Sequence, residues 1–407
     1  MSKHYIFFTR RALPLPNVAS QVQVAHSANA AANLGYSTVL VYIYQGQEAI
    51  NPIQWLRPFH PEKPGENMVK AYNIQDKLKV VKLPMPWPID RGWGGKWTSS
   101  STVVSKYYFP FHILPHAKIV HTRDWNFLEV AIKHGVPVIY EQNHHNDRKF
   151  DPKIVKSHLF QISVTVAETV RESMIENGMP REKIITIHSG YNQVFSSRDL
   201  LGAKKCREQL VGNGKPMVVY AGGLYWFKGV DMLIDVAKEL PQVQFVIAGG
   251  DSSQVQAYQK QAKDKEVINA QFLGYIQQNK LVNLLQAADI LAHPHCMSQA
   301  ATFSSPLKFF DYLASGTPIV ATKIPILKEF HSCNAIVEWC EPDNPIAFAQ
   351  CIQKVLLTHP RKEEGYIKSI EYAKEFSYEN RISKIMSYVD ESIRPEKVGI
   401  GSSFNLA

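Results

Sequence analysis

The chain has 407 residues, of which 45% are hydrophobic and 20% charged, and its formal net charge at pH 7 is +9. This length exceeds what one hydrophobic core usually supports, so we expect two domains. The composition excludes a largely disordered chain, and no apolar run reaches the roughly 18 residues of a membrane span. The positive balance permits anionic partners, but the scattered lysines and arginines form no nucleic-acid-binding motif, so nucleic acid is not an expected partner.

The N-terminal run "HYIFFT" predicts a strand rather than a signal peptide. Arg10 and Arg11 follow it, and this charge order is the reverse of that in a signal peptide. The five cysteines show no CxxC or clustered spacing, which predicts neither a disulfide framework nor a zinc site. We expect a cytoplasmic protein, with peripheral contact at the inner membrane face left open.

The first half alternates short apolar runs with longer amphipathic segments, which predicts βα units around a parallel sheet. A helix is expected from near Val18 to Gly35. Residues from about 50 to 105 are rich in Pro, Gly and Trp and are predicted to be an irregular insertion. The predicted strands are "HYIFFT", "STVLVYIY", "AKIVHT", "PVIYEQ", "ISVTVA" and "ITIHSG".

A second alternating series follows a polar segment that contains no predicted strand. Its predicted strands are "KPMVVYAGG", "VQFVIAGGD", "NAQFLGYI", "DILAHPH", "TPIVAT" and "NAIVEW". The expected organisation is a first domain over 1–192, a linker over 193–214, a second domain over 215–380 and a C-terminal helix with a tail over 381–407.

Two lysines of the second half lie at predicted helix starts. In "GGLYWFKG", Gly222 and Gly223 permit close backbone approach, and Lys228 directly precedes a helix. In "SSPLKFFDYL", Ser305 is the predicted N-cap, so Lys308 lies in the first turn, where the helix dipole disfavours a cation. The coincidence favours a shared bound anion, and solvated lysines beside a glycine turn remain the alternative.

A family resemblance follows from four consecutive motifs, "GGLYWFKGVDMLIDVA", "FVIAGGD", "FLGYIQQNKLVNLLQAADILAHP" and "SSPLKFFDYLASGTPIVATKIPILKEF". In order and spacing they resemble the nucleotide-sugar domain of GT-B glycosyltransferases of the retaining family 4 type. The resemblance extends over about residues 215–335 and is weaker in the first half. It implies an α/β fold of two Rossmann-like, doubly wound domains facing a central cleft, with the C-terminal helix returning to the first domain.

The resemblance also implies a donor site in the second domain. Lys228 and Lys308 would act on the donor diphosphate, and Asp311 falls where the family has a glutamate that holds the ribose. Tyr275 and Ile276 would flank the base. The implied donor-binding set is Gly222, Gly223, Lys228, Tyr275, Ile276, Ser304, Ser305, Leu307, Lys308 and Asp311.

The chain departs from the family pattern at two positions. Phe303 replaces the first glutamate of E-x7-E, which puts a direct carboxylate contact to the donor sugar in doubt. Gly223 replaces the usual arginine of the glycine turn, so another cation such as Lys308 would have to compensate.

The first half is expected to bind the acceptor through polar residues at the carboxyl ends of its strands. His144 is the predicted catalytic histidine there, together with Lys228 and Lys308 of the second half, and a generic surface histidine is the alternative. The predicted acceptor-binding residues are Arg10, Asn17, Ser20, Arg123 and Glu141.

The resemblance implies sugar transfer with retention from a UDP- or GDP-linked donor to a glycan, a lipid-linked or a small phosphorylated acceptor. Lysines and helix-start amides would stabilise the leaving diphosphate, so neither a metal nor a cofactor is expected. Three alternatives stay open: a nucleotide-sugar epimerase of GT-B fold, a small-acceptor transferase similar to sucrose-phosphate synthase, and a non-catalytic glycan- or nucleotide-binding protein.

Overall fold

The chain forms two compact units in a computed structural model that describes residues 3–15, 18–43, 59–75, 77–83, 100–212, 214–298, 301 and 307–397. The first unit comprises Met1–His188 and Tyr378–Ala407, and the second comprises Ser189–Ser377. The first domain was predicted to end at residue 192. The segment 193–214, predicted as a linker, belongs to the second unit and contains a helix.

The described strands of the first unit form one parallel sheet. In chain order they are β1 (His4–Thr9), β2 (Thr38–Ile43), β3 (Lys79–Leu83), β4 (Ala117–Thr122), β5 (Val138–Glu141), β6 (Phe160–Thr165) and β7 (Ile184–Thr186). Across the sheet their order is β3-β2-β1-β4-β5-β6-β7. Every residue of β2 is buried, because helices cover both faces of such a sheet.

The helices of the first unit surround this sheet. Those from the N-terminal part of the chain are α1 (Ala19–Asn33), α2 (Glu66–Tyr72), α3 (Ser100–Val103), α4 (Phe109–His112), α5 (Trp125–Lys133), α6 (Pro152–Val155) and α7 (Glu168–Glu176). The alanine-rich α1 is buried along most of its length, since its small side chains permit close packing against its neighbours.

The second unit repeats the architecture with a parallel sheet of its own. Its described strands are β8 (Met217–Ala221), β9 (Gln244–Ala248), β10 (Ala270–Gly274), β11 (Ile290–His293), β12 (Ile319–Thr322) and β13 (Val337–Cys340). They lie in the order β10-β9-β8-β11-β12-β13. Its helices are α8 (Leu200–Val211), α9 (Val230–Glu239), α10 (Ser252–Asp264), α11 (Gln278–Ala287), α12 (Leu307–Ser315), α13 (Pro345–Thr358) and α14 (Ile367–Ala373).

The last described helix, α15 (Tyr378–Ser387), belongs to the first unit although it follows the second in the chain. It packs on α1, and Asn33 Nδ2 donates a hydrogen bond to Glu379 at 2.9 Å. The predicted return of the C-terminal helix to the first domain is therefore confirmed. No helix within the described residues has the length and apolar character needed to cross a membrane.

The prediction of an irregular insertion over about 50–105 is wrong for residues 66–83. This stretch contains α2 and β3, and β3 pairs with β2 from Lys79 opposite Val39 to Leu83 opposite Ile43. The Pro and Gly residues around this stretch predicted an irregular segment. The run "KVVKL" is short, and it forms a strand because it pairs with β2 at the edge of the sheet.

Candidate functional site

The second sheet changes its direction of winding between β8 and β11. From β8 the chain proceeds outward through β9 and β10, and from β11 it proceeds the other way through β12 and β13. Ligands of doubly wound sheets bind beyond the carboxyl ends of the strands at such a switch point. Gly222 follows β8 there, and His293 ends the neighbouring β11.

The backbone holds the turn of Lys228 against the loop that follows β11. Gly229 has φ 74°, and a Cβ added to it would lie 1.7 Å from the carbonyl oxygen of Pro294, so a side chain cannot be accommodated. The amide of Cys296 also donates to the carbonyl of Phe227 at 3.1 Å. Lys228 is thereby placed near the histidine-containing end of β11.

Helix α12 is attached to the end of β8, and this attachment positions Lys308. The Tyr312 hydroxyl accepts a hydrogen bond from the Ala221 amide at 2.8 Å and donates to the Ala221 carbonyl at 3.2 Å. Lys308 Nζ lies 3.9 Å from the ring centroid of Tyr220, and a Cβ on Gly222 would come within 3.3 Å of this nitrogen. The glycine therefore leaves the room that the ammonium group occupies.

Neither lysine has a compensating anion among the described residues. Lys308 Nζ is buried without a hydrogen-bond partner there, and burial followed by the charge of Lys228 lowers its pKa well below the usual 10.5. Burial also lowers the pKa of Lys228 to about 8. Burial raises the pKa of Asp311 well above its usual value, so this carboxyl group favours its neutral form and does not balance the lysines.

Two histidines at the same strand end were missed by the sequence prediction. His293 and His295 are 0% and 2% exposed, and their ring centroids lie 4.2 Å apart. Burial lowers the pKa of both imidazoles well below 6.5. The charges of Lys308 and Lys228 lower the pKa of His293 further, and His293 and then the same two lysines lower the pKa of His295. The available signal was the sequence "HPH" directly after the apolar run "DILA".

The remaining predicted donor residues follow strands of the same sheet or begin α12. Tyr275 is 44% exposed and follows β10 together with Ile276. The carbonyl of Gly223 accepts a hydrogen bond from the Tyr220 hydroxyl at 2.8 Å, and Leu307 begins α12. Ser304, Ser305 and the substituted motif position Phe303 lie outside the described residues.

The first unit has a corresponding switch point between β1 and β4, where a buried polar network contains Glu141. This carboxylate forms an ion pair with Arg381 of α15, accepts a hydrogen bond from Gln23 at 2.9 Å and lies 3.5 Å from His121 Nε2. Burial alone would raise the pKa of Glu141, but Arg381, His121 and the nearby Arg123 hold it well below its usual range. The proposed acceptor residue Glu141 thus has charged partners within its own unit.

Of the other predicted residues of the first unit, Arg123 contacts this network directly. Arg123 is half-buried and donates to Gln23 Oε1 at 3.2 Å, whereas Arg10 forms an ion pair with Asp124 at 3.2 Å. His144 is exposed on the loop after β5, and desolvation of its ring and then the charge of Arg123 lower its pKa. Ser20 accepts a hydrogen bond from Gln21 at 3.2 Å. Asn17 lies outside the described residues.

Metal binding has no obvious ligand set in the part of the chain that the structure describes. No group of three or more His, Cys, Asp or Glu side chains there is arranged to hold an ion.

The fold and the strand-end sites define the class of this protein. Two solved structures share the fold over nearly their whole length: a glycosyltransferase from Rickettsia africae ESF-5 (TM-score 0.67, 16% identity, 97% of this chain and 99% of the other) and HepE from Anabaena in complex with UDP and glucose (TM-score 0.62, 14% identity, 95% and 99%). The chain therefore has the predicted GT-B fold, with two α/β units that each contain a parallel sheet.

In the second unit, residues 203–376 match the family described as Glycosyl transferases group 1. This match confirms the family resemblance that the four sequence motifs indicated.

Two relatives of this chain are also named as glycosyltransferases. An uncharacterized glycosyltransferase of Methanocaldococcus jannaschii is 24% identical over 267 residues, which are 58% of this chain and 66% of the relative. The putative teichuronic acid biosynthesis glycosyltransferase TuaH of Bacillus subtilis is 24% identical over 219 residues, 51% and 53% of the two chains. The matches thus span about half to two thirds of these relatives' lengths.

Proposed function

We propose that this protein transfers a sugar from a nucleoside-diphosphate donor, with retention of configuration, to a carbohydrate, lipid-linked or small phosphorylated acceptor. The observation that carries the proposal is the pair of lysines at the switch point of the second sheet, of which Lys308 has a buried ammonium group with no described counter-ion. A diphosphate of about two negative charges would supply the missing compensation. HepE, which shares the fold, is described in complex with UDP.

The chemistry asked of the second unit is stabilisation of a leaving group. When the bond between the sugar C1 and the phosphate oxygen breaks, the nucleoside diphosphate gains negative charge, and Lys228 and Lys308 would meet it in a partly dry site. The new bond from the acceptor oxygen forms on the same face of C1. The acceptor proton passes to the departing phosphate oxygen, so no protein nucleophile is required.

The remaining roles complete the proposal. Asp311 would contact the ribose, and a neutral carboxyl group can donate as well as accept a hydrogen bond there. Arg123 and His144 would contact the acceptor, because Arg123 follows β4 at the switch point of the first sheet and His144 follows the neighbouring strand β5. Arg123 also has a neutral amide as its described hydrogen-bond acceptor. No metal or cofactor is assigned a step.

The test is calorimetric binding of UDP and GDP at pH 7.5, followed by proton NMR of the sugar released from the matching nucleotide sugars. Binding together with slow release of a sugar that has the donor's anomeric configuration would support the proposal. Inversion at a ring carbon would indicate an epimerase, and binding without turnover would indicate a non-catalytic protein. Failure of both nucleotides to bind would refute the donor site itself.

A further inference from the structure

We propose that His293 and His295 belong to the donor-phosphate site, where the pair takes up a proton together with the bound diphosphate. This inference rests on the proposed function and adds two residues that neither the family motifs nor the sequence prediction assigned. In this arrangement the histidines increase the positive charge of the site only while the anion is present.

The first support is the placement of the pair. His293 is the last residue of β11, and the strand beside it is β8, whose end leads into Gly222. The Thr322 hydroxyl at the end of β12 donates to the backbone carbonyl of His295 at 2.7 Å, which fixes this loop over the neighbouring strand. Both histidines therefore lie at the carboxyl ends of the central strands, where the diphosphate is expected to bind.

The second support is that three of the four ring nitrogens are buried without a hydrogen-bond partner in the described part of the chain. Neither ring nitrogen of His293 has such a partner, nor does Nε2 of His295. Buried polar atoms are normally paired, and an unpaired one costs about 1–3 kcal/mol. Phosphate oxygens can accept hydrogen bonds from imidazole N–H groups, so a bound diphosphate would reduce this cost.

The third support is the charge around the pair. Lys308 on α12 and Lys228 on the turn after β8 are cations that disfavour a positive charge on both imidazoles, and His293 also disfavours protonation of His295. The tyrosine on the adjoining strand, Tyr220, is neutral near pH 7, since burial raises its pKa. A diphosphate placed against the lysines offsets their positive charge, so the pKa of the pair rises on binding.

The sign of the pH dependence follows from linkage. In the free protein the histidines stay neutral at pH 6–8, because their pKa lies well below 6.5. A group whose pKa is higher in the complex strengthens binding as the pH falls towards that higher value, by at most about tenfold per pH unit for one proton. Lys228 has a pKa of about 8, so its own titration affects the pH dependence of binding mainly above pH 7.5. UDP itself titrates near pH 6.

The experiment measures UDP binding by isothermal titration calorimetry at pH 5.5–8.5, in buffers of different ionisation enthalpy that report the protons taken up. The variants are His295→Gln, His293→Gln and the control His331→Gln, an exposed histidine of the same unit. Because the ligand and both lysines are common to all proteins, their titration cancels in the differences between variants. If His293→Gln fails to fold, His295→Gln alone carries the comparison.

We expect His295→Gln and His293→Gln to bind UDP at pH 8 within a few-fold of the unaltered protein. Between pH 7 and 5.5 both should take up fewer protons and lose affinity relative to the unaltered protein, whereas His331→Gln should not. Equal proton uptake and parallel affinity curves for all proteins would overturn this inference and leave the proposed function intact. Absence of UDP binding to the unaltered protein at every pH would overturn both.

Discussion

Replacing Lys308 with methionine should stabilise the protein and at the same time weaken nucleotide binding. The Lys308 ammonium group is buried without a described hydrogen-bond partner, and such a group costs about 1–3 kcal/mol. Methionine has similar length and no polar atom, so the free energy of unfolding of Lys308→Met should rise by about 1–3 kcal/mol. Loss of a charge-assisted hydrogen bond of about 1.5–3 kcal/mol should raise the Kd for UDP by about 10- to 150-fold.

Urea denaturation and calorimetric titration with UDP at pH 7.5 measure the two effects on the same preparations. The matched control is Lys280→Met, which removes an exposed lysine of α11 in the same unit and should change the free energy of unfolding by less than about 0.5 kcal/mol. A Lys308→Met protein that is less stable than the unaltered protein, or that binds UDP equally well, would refute the reasoning.

The remaining predictions concern the backbone, the ion pair and the pH dependence. Gly229→Ala should lower the free energy of unfolding by more than the about 1–2 kcal/mol of the left-handed conformation alone, because the added carbon overlaps a carbonyl oxygen, whereas Gly214→Ala should be neutral in the same urea titration. Arg381→Met should cost about 3–5 kcal/mol by leaving the buried Glu141 carboxylate without its arginine counter-charge, and adding Glu141→Gln should recover part of the loss in a double-mutant cycle. Below pH 6.5 His293 is protonated in the unfolded chain but stays neutral in the folded protein, so the free energy of unfolding should fall as the pH falls. Thermal unfolding followed by circular dichroism should show a less steep fall for His293→Gln.

The fold could largely be predicted from the sequence, because strands covered on both faces are continuous apolar runs between amphipathic helices. β3 could not, since "KVVKL" is short and has lysines at two of its five positions. Lys79 and Lys82 are compatible with a strand at the edge of the sheet, where β3 pairs with β2 on one side and forms an isolated bridge to Glu62 on the other. The sequence shows neither its pairing partner nor its position at the edge.

The candidate site could be predicted in part. Lys228 and Lys308 were found because each lies at a helix start, which is a local pattern. His293 and His295 were missed because a histidine at the end of an apolar run has no distinctive local signal. Their meaning depends on the strand order, which places β11 beside β8 although β9 and β10 separate them in the chain.

Arg381 was missed for a related reason. It lies on α15, 240 residues after Glu141 in the chain, and joins the network only because the C-terminal helix returns to the first unit. On a helix with a regular apolar face, an arginine usually faces solvent, so the sequence favours an exposed residue. Here the side chain of Arg381 is 2% exposed and paired with a carboxylate.

The two switch points differ in how their charges are balanced, and this difference indicates which one requires a strong anion. In the first unit Glu141 is paired with Arg381, and Arg10 is paired with Asp124, so the polar network is largely neutralised by its own residues. In the second unit Lys308 has no described anionic partner, and the like charge of Lys228 acts on it. A folded chain tolerates such a cost where function requires it, because a ligand that binds only the folded state stabilises that state, by an amount that grows with the logarithm of the ligand concentration. The uncompensated charge of the second unit is thus itself the physical reason to expect a diphosphate there.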